Sequence, residues 1–161
     1  MKGSRILVNA DAMGVRGEGI ISGTPKPGTC VELVTTTAPV AGRFTYQLVT
    51  RTNGAKGPVI VLLEDDFQGK LATDAYVTGT RCRLYWPMAG DELNMLLRES
   101  AGTGTVNETN IGDLLAIEKT TGELMAGGAL ASTPFQLLER VTQDVLGTDT
   151  LHWVVYLGNQ A

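Results

Sequence analysis

Ten short runs of β-branched and apolar residues recur along the chain, each ended by Gly, Pro, Asn or Asp, and they leave little room for helices. They read as strands near Ser4 to Asn9, Glu18 to Ser22, Thr29 to Thr35, Phe44 to Thr50, Pro58 to Leu63, Arg81 to Tyr85, Glu92 to Glu99, Leu114 to Glu118, Phe135 to Thr142 and Leu151 to Leu157. Phe135 to Val141 also suits a helical turn or two, because Thr133-Pro134 is a reasonable helix start. The connecting segments have turn chemistry. Thr24-Pro25-Lys26-Pro27-Gly28 fixes φ twice and then supplies a permissive glycine, and Asn53-Gly54 and Thr121-Gly122 are hairpin dipeptides. Gly90-Asp91 and Gly112-Asp113 each precede an apolar run, where glycine takes a positive φ and aspartate bonds back to the backbone. Ser100 to Asn110 is a run of small and polar residues and reads as a surface loop. The fold class that follows is mainly β, a compact barrel or sandwich with few or short helices. Residues 1–17, with Gly3, Gly14 and Gly17, read as an amino-terminal arm and residues 18–161 as one β-rich domain.

A chain of 161 residues is long enough for one real core, and 43% hydrophobic against 19% charged residues excludes a disordered polymer. The net charge of −4 argues against general affinity for nucleic acid, which needs a basic face. The charge is unevenly distributed. Residues 1–60 carry seven Lys or Arg against three Asp or Glu, and residues 61–161 carry six against fourteen. Either the basic amino-terminal part docks on an acidic neighbour, or folding interleaves the two halves. No segment nears the roughly 18 consecutive apolar residues of a membrane span, and Met1 to Gly14 lacks the apolar run of a signal peptide. A protein made and kept in a reducing cytoplasm is expected, with Cys30 and Cys82 as buried free thiols.

Little catalytic chemistry is visible. His152 is the single histidine and lies in an apolar strand, so histidine-rich metal sites are excluded and a buried strand histidine is the simpler reading. Glu64-Asp65-Asp66 clusters carboxylates after Val59 to Leu63 but lacks calcium-loop spacing, and it reads as a polar turn. Gly102-Thr103-Gly104 and Gly127-Gly128 lack the lysine and setting of a phosphate loop. No catalytic residue, cofactor site or metal site is assigned.

One aromatic cluster stands out, Arg81-Cys82-Arg83-Leu84-Tyr85-Trp86-Pro87-Met88. Arginine and aromatic side chains dominate the energetic centres of interfaces, and they also make platforms for single-stranded nucleic acid. The competing reading turns Leu84 and Trp86 into the core and ends the strand at Pro87.

Three stretches combine into a wider pattern. Arg83 to Leu97 resembles the middle of tailed-phage head decoration proteins, also called capsid cement or stabilisation proteins. Ile111 to Met125 resembles their Gly-Asp strand and Thr-Gly hairpin, and Thr133 to Thr142 with Leu151 to Leu157 resembles their closing strands. The likeness covers about residues 81–158; Gly19 to Gly23 with Pro27 to Leu33 matches only in style. It implies a non-enzymatic virion protein, made in the bacterial cytoplasm, that binds the outer surface of the major capsid protein lattice, as a homo-oligomer (dimer or trimer). Neither a membrane nor direct nucleic-acid contact is expected. Lys2, Arg5, Arg16, Arg81, Arg83, Tyr85, Trp86 and Met88 are the candidates for the capsid or subunit interface. The alternative is a β-barrel that binds a ligand or single-stranded nucleic acid through Arg81 to Trp86.

Overall fold

The computed structural model describes residues 6–7, 14–49, 58–68, 71, 73–98, 111–118, 120–126, 133–139 and 151–158. The loop at 100–110, the Asn53-Gly54 dipeptide, Lys2 and Arg5 lie outside them.

Strands β1 (Val15–Ile21), β2 (Cys30–Leu33), β3 (Thr45–Leu48), β4 (Ile60–Leu63) and β5 (Arg81–Trp86) form a closed barrel in the order β1-β3-β2-β4-β5. The β1–β3 pair is parallel and the others are antiparallel; β5 closes onto β1 with Val15 opposite Trp86 and Ile20 opposite Arg81. Closure explains the odd composition of β1. A five-stranded barrel has a narrow interior, and facing residues must alternate in size to fill it. A Cβ on Gly17 would stand 2.7 Å from the Trp86 ring, and one on Gly19 2.5 Å from the Tyr46 ring. The two glycines thus yield their volume to two aromatics, which meet edge to face with centroids 6.2 Å apart. Ile21, Val31, Ile60, Leu62, Cys82 and Leu84 complete this filling.

Strands β6 (Glu92–Leu96), β7 (Leu114–Ile117), β8 (Leu124–Ala126), β9 (Phe135–Glu139) and β10 (Leu151–Tyr156) form an antiparallel sheet in the order β6-β10-β9-β7-β8. The sheet curls until Leu97, at the end of β6, bridges Leu124 of β8. Its concave face packs on the outer wall of the barrel. Cys30, Val61, Leu63 and Tyr85 from that wall share one core with Leu93, Met95, Leu115, Phe135, Leu137 and Val154. β4 is therefore buried on both faces, which is why Ile60-Val61-Leu62-Leu63 is continuously apolar rather than alternating.

The mainly β reading holds, and the sole helical element among the described residues is a 3-10 turn at Asp66–Gln68. Phe135–Glu139 is strand, not helix. Both cysteines are buried thiols that form no disulfide. Burial pushes the Cys82 thiol up to about 12, which leaves it an unreactive apolar filler. Val15 to Gly17, read as part of the arm, belong to β1 because they pair with Leu84 to Trp86. Ile6 is fully buried in the shared core, and Leu7 bridges Leu93. The Gly90-Asp91 and Gly112-Asp113 turns do the same work twice. Gly90 donates to the Tyr156 carbonyl while Tyr156 donates to that of Asp91; Gly112 and Asp113 repeat this exchange with Leu137.

The free edge of β6 is capped by other segments. Its Asn94 and Leu96 amides, and the Arg98 amide just past the strand, donate to the carbonyls of Ile6 (2.7 Å), Gly28 (3.0 Å) and Leu124 (2.7 Å). Three separate segments thus satisfy an edge that would otherwise template pairing with other chains.

Candidate functional site

The alternation of β5 sends its side chains to two different places. Cys82, Leu84 and Trp86 face the barrel interior, and Arg81, Arg83 and Tyr85 face outward. The curled sheet covers the outward face at Tyr85, which is fully buried, and stops short of Arg81 and Arg83.

One of the predicted interface residues, Tyr85, is therefore corrected. Tyr85 is a core residue: its hydroxyl donates to Asp91 Oδ2 at 2.5 Å and accepts from the Gly14 amide at 2.8 Å. Burial, and then the Asp91 hydrogen bond, push its phenol up to about 12. Trp86 is half-buried at the barrel mouth, turned onto Tyr46 and Gly17. Neither ring forms an open stacking platform. Arg16 is exposed on β1 opposite Tyr85, and Met88 is 50% exposed in the turn before β6. Lys2 and Arg5 are outside the described residues. His152 is fully buried in β10, and it is the His152, Val154 and Tyr156 face of that strand, not the Leu151, Trp153 and Val155 face, that is more deeply buried.

What remains on the open wall is a charged strip. Glu18 on β1 accepts from Arg43 at 3.2 Å and lies 3.7 Å from Arg81. Arg81 also reaches the buried carboxylate of Asp65 at 3.6 Å. Exposed pairs of this kind contribute at most about 1 kcal/mol each. The Arg81–Glu18 pair joins the two halves of the sequence, so β1 and β5 partly interleave the uneven charge.

At the end of the strip stands a residue that the sequence reading passed over. Phe67, within the 3-10 turn, is 84% exposed, and the Arg83 guanidinium lies 5.8 Å from its ring centroid. Asp65 holds this turn. Its carboxylate accepts from the Phe67 amide (3.1 Å) and from Gln68 Nε2 (2.7 Å), and its carbonyl accepts from the Gln68 amide (3.0 Å). The acidic triplet thus proves to be a polar turn, with Asp65 turned inward as its fastening. Among the described residues no three His, Cys, Asp or Glu side chains gather in a way that would hold a metal ion. The signal that would have found Phe67 is a large aromatic placed in a polar turn, where no core position needs it.

A second apolar feature lies in the β2–β3 connection. Leu33, Val34, Pro39 and Phe44 line an open groove of about 390 Å³ with Thr35 to Thr37. No charged residue lines it.

The β7–β8 turn is organised around a carboxylate. Glu118 Oε2 accepts from the amides of Thr120 (2.8 Å) and Thr121 (2.7 Å) and from the Thr121 hydroxyl, with Arg98 at 3.4 Å. Burial alone would push this carboxyl up, but the Thr121 and Thr120 hydrogen bonds together hold it below the usual 4.5. A depressed value in the folded state adds stability above the unfolded pKa, and that stability is lost as the pH falls through the folded one. Glu118→Gln is expected to cost about 1 kcal/mol near neutral pH. The gap between variant and wild type should narrow as the pH falls below 4.5 in urea denaturation series. A gap independent of pH would contradict this account of the turn.

Comparison with family models and with curated proteins found no match for the chain.

Proposed function

We propose that this chain is a capsid decoration protein, which binds the outer surface of a phage head lattice and holds neighbouring shell subunits together against the pressure of the packaged genome. The observation that carries the reading is where the decoration-protein-like motifs fall: the stretch 81–158 supplies β5 and all five strands of the curled sheet. The likeness thus covers the whole curled sheet and the barrel strand β5 on which it packs, including both Gly-Asp turns. Two physical properties support it. A cement must not yield under load, and among the described residues this molecule has a filled barrel and a second core shared by the barrel wall and the curled sheet. A protein displayed in many copies must not pair edge to edge, and the β6 edge is closed by three segments.

Cement action needs no turnover. Only an assembled lattice presents the complete site, so binding stabilises assembly by mass action. Several footholds on one particle add avidity without new contacts. The competing reading, a barrel that binds ligand or single-stranded nucleic acid, loses its platform because Tyr85 and Trp86 are turned inward and side chains fill the barrel.

The expected result is stoichiometric abundance in purified full heads, at a fixed ratio to the major capsid protein, measured by quantitative mass spectrometry. A mature particle without the chain would overturn the proposal.

A further inference from the structure

We infer that Phe67, with the Arg83 guanidinium beside its ring, is the anchor by which this chain docks, and that the partner site is an apolar socket flanked by a carboxylate on the shell protein. The inference rests on the decoration reading for the identity of the partner and on the following geometry for its chemistry.

Phe67 is the most exposed of the large apolar side chains among the described residues, at 84%. Burying such a ring is favourable, and none of the described residues covers it. Its mounting is rigid. The Asp65 carboxylate is fully buried and paired with Arg81, and Gln68 ties the turn to the Arg81 carbonyl at 3.0 Å. Farther along the same connection, Tyr76 is fully buried, donates to the Leu63 carbonyl at 2.8 Å, and receives support from the Pro25 carbonyl at its amide. Thr78 exchanges two hydrogen bonds with Gly23. Long connections in small β proteins are usually functional, and this one is fastened at both ends. A preorganised anchor loses little entropy on binding, which is the character of an interface hot spot.

Charge identifies the socket. Arg43, Arg81 and Arg98 each have a carboxylate within ion-pair distance, whereas Arg83 has none among the described residues and rests on the Phe67 ring instead. A guanidinium held over an aromatic ring keeps N–H donors for a planar acceptor, and a carboxylate at the rim of an apolar pocket satisfies ring and cation together. A second copy of this chain fits less well, since the groove beside Phe44 has no acidic residue in its lining. A nucleic-acid strand fits less well too, since Asp66 adjoins Phe67 in the same turn and the chain is net negative.

The test uses purified heads that lack this chain and measures co-sedimentation of wild-type protein, Phe67→Ser, Arg83→Gln and Phe44→Ser. Phe67→Ser should weaken binding at least about tenfold. Arg83→Gln should weaken it several-fold and flatten its dependence on salt, while Phe44→Ser should bind like wild type. All three should retain the wild-type melting temperature, because none of these side chains is in a core. Wild-type binding with undiminished Phe67→Ser binding overturns the anchor and leaves the decoration reading standing. Failure of the wild type to bind heads overturns both. Phe67→Ser that binds heads normally but loses self-association or oligonucleotide binding overturns the assigned partner.

Discussion

Gly122→Ala is expected to destabilise the protein by about 3 kcal/mol or more. Two costs coincide at this position. Gly122 has a φ of +69°, where a side chain costs about 1 kcal/mol or more. Its Cβ would also stand 2.3 Å from the Cys30 carbonyl oxygen, a backbone atom that cannot swing aside. Relief requires separating the β7–β8 turn from β2, which breaks the 2.7 Å hydrogen bond from the Cys30 amide to the Gly122 carbonyl. That bond is one of the direct backbone links between barrel and curled sheet. Gly112→Ala isolates the first cost, since Gly112 has a φ of +94° and open space around it. Equilibrium urea denaturation should rank Gly122→Ala well below Gly112→Ala, by roughly 2 kcal/mol. Equal losses would show that the two units do not press on one another at this turn.

Asp91→Ala is expected to cost about 3 kcal/mol. The Asp91 Oδ2 atom accepts both the Tyr85 hydroxyl and the Met88 amide (2.7 Å), inside a region sealed by the curled sheet. Without it, the Tyr85 hydroxyl loses its acceptor in a fully buried site, and the Met88 amide loses the bond that shapes the β5–β6 turn. The effect reaches the amino-terminal side as well. The Gly14 amide donates to the same Tyr85 hydroxyl, and a Cβ on Gly14 would meet the Tyr85 ring at 2.4 Å. Tyr85 thus ties the start of β1 to the turn that launches β6. A double-mutant cycle between Asp91→Ala and Tyr85→Phe should return a coupling of about 1–2 kcal/mol. Additive losses would mean that the two side chains act separately.

The strands with apolar, alternating or β-branched character were legible from residue types, since β2 to β7, β9 and β10 all fall within or nearly on the expected runs. β1 begins three residues earlier than its run because Gly17 and Gly19 carry no strand signal; their purpose is to leave space for Trp86 and Tyr46, which lie far away in sequence. β8 has only three residues between glycine-rich flanks and offers no periodicity to detect. The interface candidates fared according to the same physics. Arg81 and Tyr85 share one face of β5 and Trp86 lies on the other, and alternation tells that neighbours diverge but not which face a second sheet will cover. In the structure Tyr85 lies under the sheet and Trp86 half-buried at the barrel mouth, leaving Arg81 and Arg83 at the open wall. Phe67 escaped notice because its neighbours are acidic, and only the inward turn of Asp65 shows that the triplet is a mounting for an exposed ring.

Cohesion of the head is the central claim, and it is tested most directly by heating DNA-filled heads with and without this chain while following genome release through a DNA-binding dye. Heads that carry the chain should release DNA at a clearly higher temperature, and adding purified protein to deficient heads should restore the difference. Identical release temperatures at full occupancy would contradict the account.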